Sequence, residues 1–95
     1  MRFVVMFFDS LTPSEVDIEL TRAHFNYLEM NADRITMAGG LLPFPGGRFC
    51  GSLWVVQAAS VEEAHRLVEG DPYCLAGLRP DRRIYLWNVA PTRAK

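Results

Sequence analysis

Phe49-Cys50-Gly51-Ser52-Leu53-Trp54-Val55-Val56-Gln57 leads through Ala58-Ala59 into Ser60-Val61-Glu62-Glu63. The first block puts Phe49, Gly51, Leu53 and Val55 on one face and Cys50, Ser52, Trp54 and Val56 on the other, the alternation of a β-strand. The second block is a helix start. Ser60 caps it, Glu63 sits three residues on to close a capping box, and Gly70 ends the helix. A strand handing over to a helix is half of a βαβ unit.

The same signals occur once more upstream. Arg2-Phe3-Val4-Val5-Met6-Phe7-Phe8 is apolar after its first residue and stops at the turn signal Asp9-Ser10. Its apolar residues do not alternate, so it reads as a strand covered on both faces. Thr12-Pro13-Ser14-Glu15 then opens a helix, with Thr12 as cap, Pro13 in the first turn and Glu15 closing the box. No Pro or Gly follows until Gly39, which predicts a long helix to about Asp33. At about 100° per residue, Val16, Leu20, Ala23, Tyr27 and Met30 form its core stripe. Ile18, Phe25 and Ala32 fall on the opposite side and suggest a second contact surface.

Ile35-Thr36-Met37-Ala38 running into Gly39-Gly40 reads as a strand broken or bulged at the glycines. Pro43-Phe44-Pro45-Gly46-Gly47 is a turn. After the second helix come Asp71-Pro72-Tyr73, a compact Cys74–Leu78 stretch, and a last strand from Arg82 to Val89. The order β-α-β-β-α-β predicts an α+β, ferredoxin-like single domain over 1–95, with a tail frayed from Pro91. One antiparallel sheet carries both helices on one face. Its other face bears large apolar side chains, which predicts a homodimer joined through the sheets.

Composition excludes several classes. Ten Lys+Arg against eleven Asp+Glu give a net charge of -1, without the basic excess that phosphate contacts require, so no nucleic-acid partner is expected. Hydrophobic residues at 49% argue against wholesale disorder. The Phe3–Phe8 run is far short of the roughly 20 apolar residues of a membrane span. Met1-Arg2 lacks a cleavage pattern behind it, so no signal peptide is expected. Cys50 and Cys74 are too few for a disulfide framework and too far apart for a zinc knuckle. A cytoplasmic protein with reduced thiols and no membrane partner follows. The glycine pairs lack the spacing of a phosphate loop, and no Cys-x-x-Cys, His-x-x-x-His or Glu-x-x-His occurs, so neither metal nor cofactor is expected.

Two histidines remain as candidate chemistry. His24 falls at the edge of the core stripe, between buried and exposed, and imidazole's unperturbed pKa of about 6.5 suits proton transfer near neutrality. Spacing alone leaves a structural or surface role open. His65, flanked by Glu62, Glu69 and Arg66, reads as solvated. Asp71 is the carboxylate held most rigidly, because Pro72 biases it toward extended backbone; a plain helix-ending aspartate is the alternative. Cys74 reads as buried and inert, and Arg82-Arg83 as the solvated start of an edge strand.

Arg22-Ala23-His24 with Leu28, Ile35-Thr36-Met37-Ala38-Gly39, Gly51-Ser52, Ser60-x-Glu62-Glu63-Ala64 and Asp71-Pro72-Tyr73 with Ala76-Gly77 resemble, in that order and spacing, the YCII-related family. The likeness covers nearly the whole chain. It implies a dimeric α+β barrel and an active site built on a His–Asp pair, matching His24 and Asp71, with some members similar to chlorohydroxyquinone dehydrochlorinases. Gly40 in place of a proline and Tyr73 in place of the commoner phenylalanine depart from the pattern.

Two functions follow as expectations. The first is a cofactor-independent enzyme in which His24 is the general acid/base and Asp71 holds its tautomer. Ser52 and the backbone at Gly39 would bind a substrate oxygen, and Tyr73 and Trp54, with Phe7 and Trp87, would wall a flat ring. Elimination, such as dehydrochlorination of a hydroxyquinone, or isomerisation would suit these parts. The second is a non-catalytic dimer that binds a small ligand or a protein, with the His–Asp pair structural. A cofactor-free oxygenase is a third reading.

Overall fold

The computed structural model describes residues 1–8 and 17–91. The elements are β1 (Arg2–Phe7), α1 (Ile18–Met30), β2 (Ile35–Leu41), β3 (Gly51–Gln57), α2 (Val61–Glu69), α3 (Pro72–Leu75) and β4 (Arg82–Leu86). The strands lie in the order β2-β3-β1-β4, with every neighbouring pair antiparallel. This is the α+β, ferredoxin-like arrangement expected from the element order.

Register explains the core. Val5 lies opposite Trp54 and Ile84, and Phe3 opposite Val56 and Leu86. Phe3, Val5, Phe7, Ile35, Trp54 and Val56 meet Ala64, Leu67 and Val68 of α2, while Tyr27 and Leu28 of α1 pack against the same cluster. Both helices therefore cover one face of the sheet. Burying each large member stabilises the fold by about 1.5–3 kcal/mol. On the other face Val4, Met6 and Leu53 are only half-buried and Met37 and Tyr85 are exposed. So β1 is covered by its own chain on one side, not both, and its burial alternates.

Several boundaries differ from expectation. β2 passes through Gly39 and Gly40 in register with Leu53 and Ser52, and its bulge lies between Ile35 and Met37. There the Thr36 hydroxyl donates to the Val55 carbonyl at 3.2 Å, compensating for the irregular ladder. Gly40 serves a close approach instead: a Cβ on it would lie 2.5 Å from the Phe49 ring. β3 begins at Gly51 rather than Phe49, where the backbone runs so close to Phe7 that a Cβ would meet its carbonyl oxygen at 2.5 Å. β4 stops at Leu86 rather than Val89, because its partner β1 ends at Arg2, whose carbonyl accepts a last bond from Trp87 N–H at 2.9 Å.

α1 is capped by Asp17, whose carboxylate accepts from Glu19 N–H at 3.0 Å. The predicted box at Thr12–Glu15 and the stripe position Val16 lie outside the described residues. The helix ends at Met30, short of Asp33, because Asn31 turns back: its side-chain amide donates to the Tyr27 carbonyl at 2.8 Å, as its own N–H does at 3.1 Å. Met30 is 82% exposed, so it is not a core residue; the buried stripe is rotated toward His24 and Leu28. Ile18 is exposed to solvent, whereas Phe25, though partly exposed, lies with its ring centroid 5.2 Å from that of His24.

α2 starts as its sequence predicts. Ser60 Oγ accepts from Glu63 N–H at 3.1 Å, and Glu63 reaches back to Ala59 N–H at 3.4 Å. Gly70 closes it in right-handed backbone, with φ -80°. Its need for glycine is spatial, since a Cβ would lie 2.6 Å from the Tyr27 hydroxyl. That hydroxyl donates to the Leu67 carbonyl at 2.5 Å and ties α1 to the last turn of α2, four residues before Asp71.

Candidate active site

Tyr27 sits nearly one turn after His24, and Gly70 immediately before Asp71, so the α1–α2 tie fixes both halves of a pair. His24 Nδ1 and Asp71 Oδ1 are 2.5 Å apart. The sequence put His24 at the edge of burial; it is in fact 5% exposed, and Asp71 0%. The rotated helix stripe accounts for the difference.

Asp71 is held by its own peptide. Its N–H donates to the Val68 carbonyl at 3.0 Å and its carbonyl accepts from Leu75 N–H at 2.9 Å. Extended backbone, φ -65° and ψ 131°, heads α3 but leaves the side chain out of any cap, so the carboxylate turns to His24. When Asp71 is ionised its carboxylate only accepts, so Nδ1–H must be the donor, and in a neutral imidazole Nε2 is then left with its lone pair. Asp71 Oδ2 is buried with no hydrogen-bond partner among the described residues. The Tyr73 ring stacks on the imidazole, 4.0 Å between centroids and 11° from parallel. Its hydroxyl donates to Thr21 Oγ1 at 3.2 Å. A carboxylate on the edge and a phenol on the face leave the imidazole one orientation.

Beside the pair lies a pocket of about 100 Å³, lined by His24, Tyr73, Trp54 and Phe49, by the Gly39-Gly40 backbone, and by Ser52 and Arg79. The pocket is smaller than the roughly 150 Å³ apolar cavity known to bind benzene, so it takes one small ring at most. The structure thus brings Gly39, Ser52, Trp54 and Tyr73 to one cavity with His24, while Asp71 stands behind the imidazole. Phe7 is behind the wall, edge-on to Trp54 at 5.1 Å. Trp87 is 45% exposed and does not line the pocket.

Sequence reasoning missed Arg79. It is 5% exposed, its guanidinium donates to Ser52 Oγ at 3.2 Å, and it lies 4.3 Å from the Phe7 ring centroid and 5.1 Å from that of Tyr73. The available signal was one charge after the uncharged run Pro72–Leu78, which nothing in helix or strand periodicity flags. Phe49 was placed on the strand but not in the pocket. Cys74 is half-buried against the core, and His65 and Cys50 are exposed. Among the described residues no cluster of three or more His, Cys, Asp or Glu is placed to hold a metal ion.

The field of the site reaches Tyr27. Burial raises the pKa of its phenol above the ordinary 10.0, and the nearby Asp71 carboxylate raises it further, keeping the hydroxyl protonated as a donor. Among the described residues no helix is long and apolar enough to cross a membrane.

The chain belongs to the YCII-related domain family, whose sequence model matches residues 1–88. Among solved structures it is similar to the 5-chloro-2-hydroxyhydroquinone dehydrochlorinase of Burkholderia phenoliruptrix, in complex with 2,5-dihydroxybenzoquinone. The two are 30% identical, the match covers 95% of this chain and 96% of that one, and the TM-score is 0.78. No curated protein matches the sequence. Fold and family thus align the chain with a small enzyme whose structure holds a quinone.

Proposed function

We propose that the protein is a cofactor-independent lyase that removes HCl from a small chlorinated hydroxyhydroquinone, with His24 as general acid/base and Asp71 as its positioning partner. The observation that carries this reading is the buried His24–Asp71 pair beside a cavity of single-ring size. The likeness to a dehydrochlorinase supports the substrate class.

The balance of the reaction fits one imidazole. Nε2 takes the proton of a ring hydroxyl, and the imidazolium, stabilised by Asp71, returns it to the ring carbon that bears chlorine. A C–H bond forms and that carbon becomes tetrahedral. Loss of a second hydroxyl proton then drives out chloride and leaves a hydroxyquinone. Two O–H bonds and one C–Cl bond break, one C–H bond forms, and HCl is released. The ring is oxidised as chloride departs with its bonding pair, so no external oxidant enters. Isomerisation beside a carbonyl would use the same proton relay.

The half-bare sheet face and the family's barrel architecture support a second copy seated there, with Val4, Met6 and Leu53 inside the joint. Light scattering at micromolar concentration is expected to give twice the chain mass.

The activity test is chloride release from 5-chloro-2-hydroxyhydroquinone without oxygen. His24→Asn keeps an amide to hydrogen-bond Asp71 but cannot shuttle the proton. Its turnover should fall by about 10²–10⁴-fold, the usual contribution of positioned acid–base catalysis. Unchanged turnover in the folded variant would remove His24 from the chemistry.

A further inference from the structure

We propose that Arg79 and Ser52 form an oxyanion site inside the pocket, so that the protein selects its ring substrate as an anion: an acidic cyclic enol or hydroxyquinone with one oxygen already ionised. This rests on the pocket being the substrate site and goes beyond the proton relay.

Four observations carry it. Arg79 and Ser52 both line the cavity, at 5% and 8% exposure. Their side chains touch, Nη2 to Oγ at 3.2 Å, so a single ligand oxygen could meet both. Phe7 and Tyr73 flank the guanidinium at 4.3 and 5.1 Å, holding a planar cation where it needs no reordering on binding. Tyr73 also stacks on His24, so cation and imidazole share one aromatic spacer.

A guanidinium stays charged at any working pH and presents a rigid fork of donors, which suits a delocalised oxyanion better than a neutral ether or ketone. In a desolvated wall such a bond to a charged oxygen is worth on the order of tenfold to hundredfold in affinity over its neutral counterpart. Ser52 can turn its hydroxyl hydrogen to the ligand while its lone pairs still accept from Arg79. Chemistry benefits as well. An ionised ring oxygen pushes electron density into the ring and makes the neighbouring carbon a better proton acceptor. The remaining neutral hydroxyl is then the one offered to Nε2. Arg79 binds and positions, and His24 moves the proton.

The test compares 2,5-dihydroxybenzoquinone, ionised at neutral pH, with its uncharged dimethyl ether by calorimetric titration. Wild type should bind the dihydroxy compound at least tenfold more tightly. Arg79→Gln should abolish the preference, Arg79→Lys recover part of it, and Ser52→Ala reduce it several-fold. Circular dichroism checks folding; should Arg79→Gln not fold, the wild-type preference and Ser52→Ala decide the matter alone. Equal binding of both compounds by wild type, binding of neither, or a preference that survives Arg79→Gln overturns the proposal. Turnover of His24→Asn separates this from the catalytic reading. An intact anion preference with undiminished turnover removes the proton relay and keeps the oxyanion site; a lost preference with a hundredfold drop does the reverse.

Discussion

Cutting His24 back to alanine should destabilise the protein much more than neutralising Asp71. The Asp71 carboxylate is fully buried, Oδ1 receives the imidazole bond at 2.5 Å, and Oδ2 receives none among the described residues. His24→Ala removes that donor and strands a charge in low dielectric, which costs about 3–5 kcal/mol. Asp71→Asn keeps the shape. Its amide oxygen still accepts from Nδ1, and the new NH₂ at the Oδ2 position pays about 1–3 kcal/mol for lacking an acceptor. Removing a buried ion relieves a penalty of several kcal/mol, which offsets most of that. Asp71→Asn should therefore fall within about 1 kcal/mol of wild type, and it should rescue His24→Ala by about 2 kcal/mol or more in the double variant. Urea unfolding, followed by circular dichroism at constant slope, measures all four corners of the cycle. Should His24→Ala lose under about 1 kcal/mol, or Asp71→Asn lose as much as His24→Ala, the picture of a buried charge sustained by one imidazole is refuted.

Two further outcomes follow from named contacts. Gly40→Ala puts a methyl 2.5 Å from the Phe49 ring, which must swing from the pocket wall; affinity for 2,5-dihydroxybenzoquinone should change about tenfold and return in Gly40→Ala/Phe49→Leu, whereas an unchanged affinity in the single variant rules the wall contact out. Tyr27, whose phenol is held protonated above pH 10.0 by burial and by Asp71, gives a pH signature. The unfolded phenol loses its proton first, so its stabilising contribution is complete below about pH 10 and is lost as pH rises through the higher folded value. Tyr27→Phe should cost about 0.5–1.5 kcal/mol at pH 7. It should also flatten the alkaline decline in unfolding free energy; an identical slope would count against the assignment.

The parts legible in sequence are those governed by local rules. Ser60 and Glu63 announced α2, and alternation separated the two faces of β3, of which the structure turns the one with Trp54 and Val56 to the helices. Errors arose where a distant partner decides. Gly39-Gly40 looked like a break, yet β3 holds the strand straight and the glycine at 40 answers to Phe49. Met30 satisfied the helical period, but Asn31 ends the helix there and the docked face is turned toward His24. The meeting of His24 and Asp71, 47 residues apart, has no local signature; the family resemblance suggested it, and spacing offered only the separate residues. Arg79 had neither signal, because a loop cation becomes part of a cavity only through the tertiary placement of Phe7 and Tyr73.

The gap at residue 70 carries a consequence for how this chain can change over time. The space that a β-carbon would fill is occupied by a phenol from another helix, so positions 27 and 70 are not free to drift separately. A lineage that first trims the phenol to a smaller ring can later accept alanine at the glycine, whereas the opposite order passes through a clash beside the buried acid. Mutational history here is directional, and a library that varies either site alone would miss the accessible route.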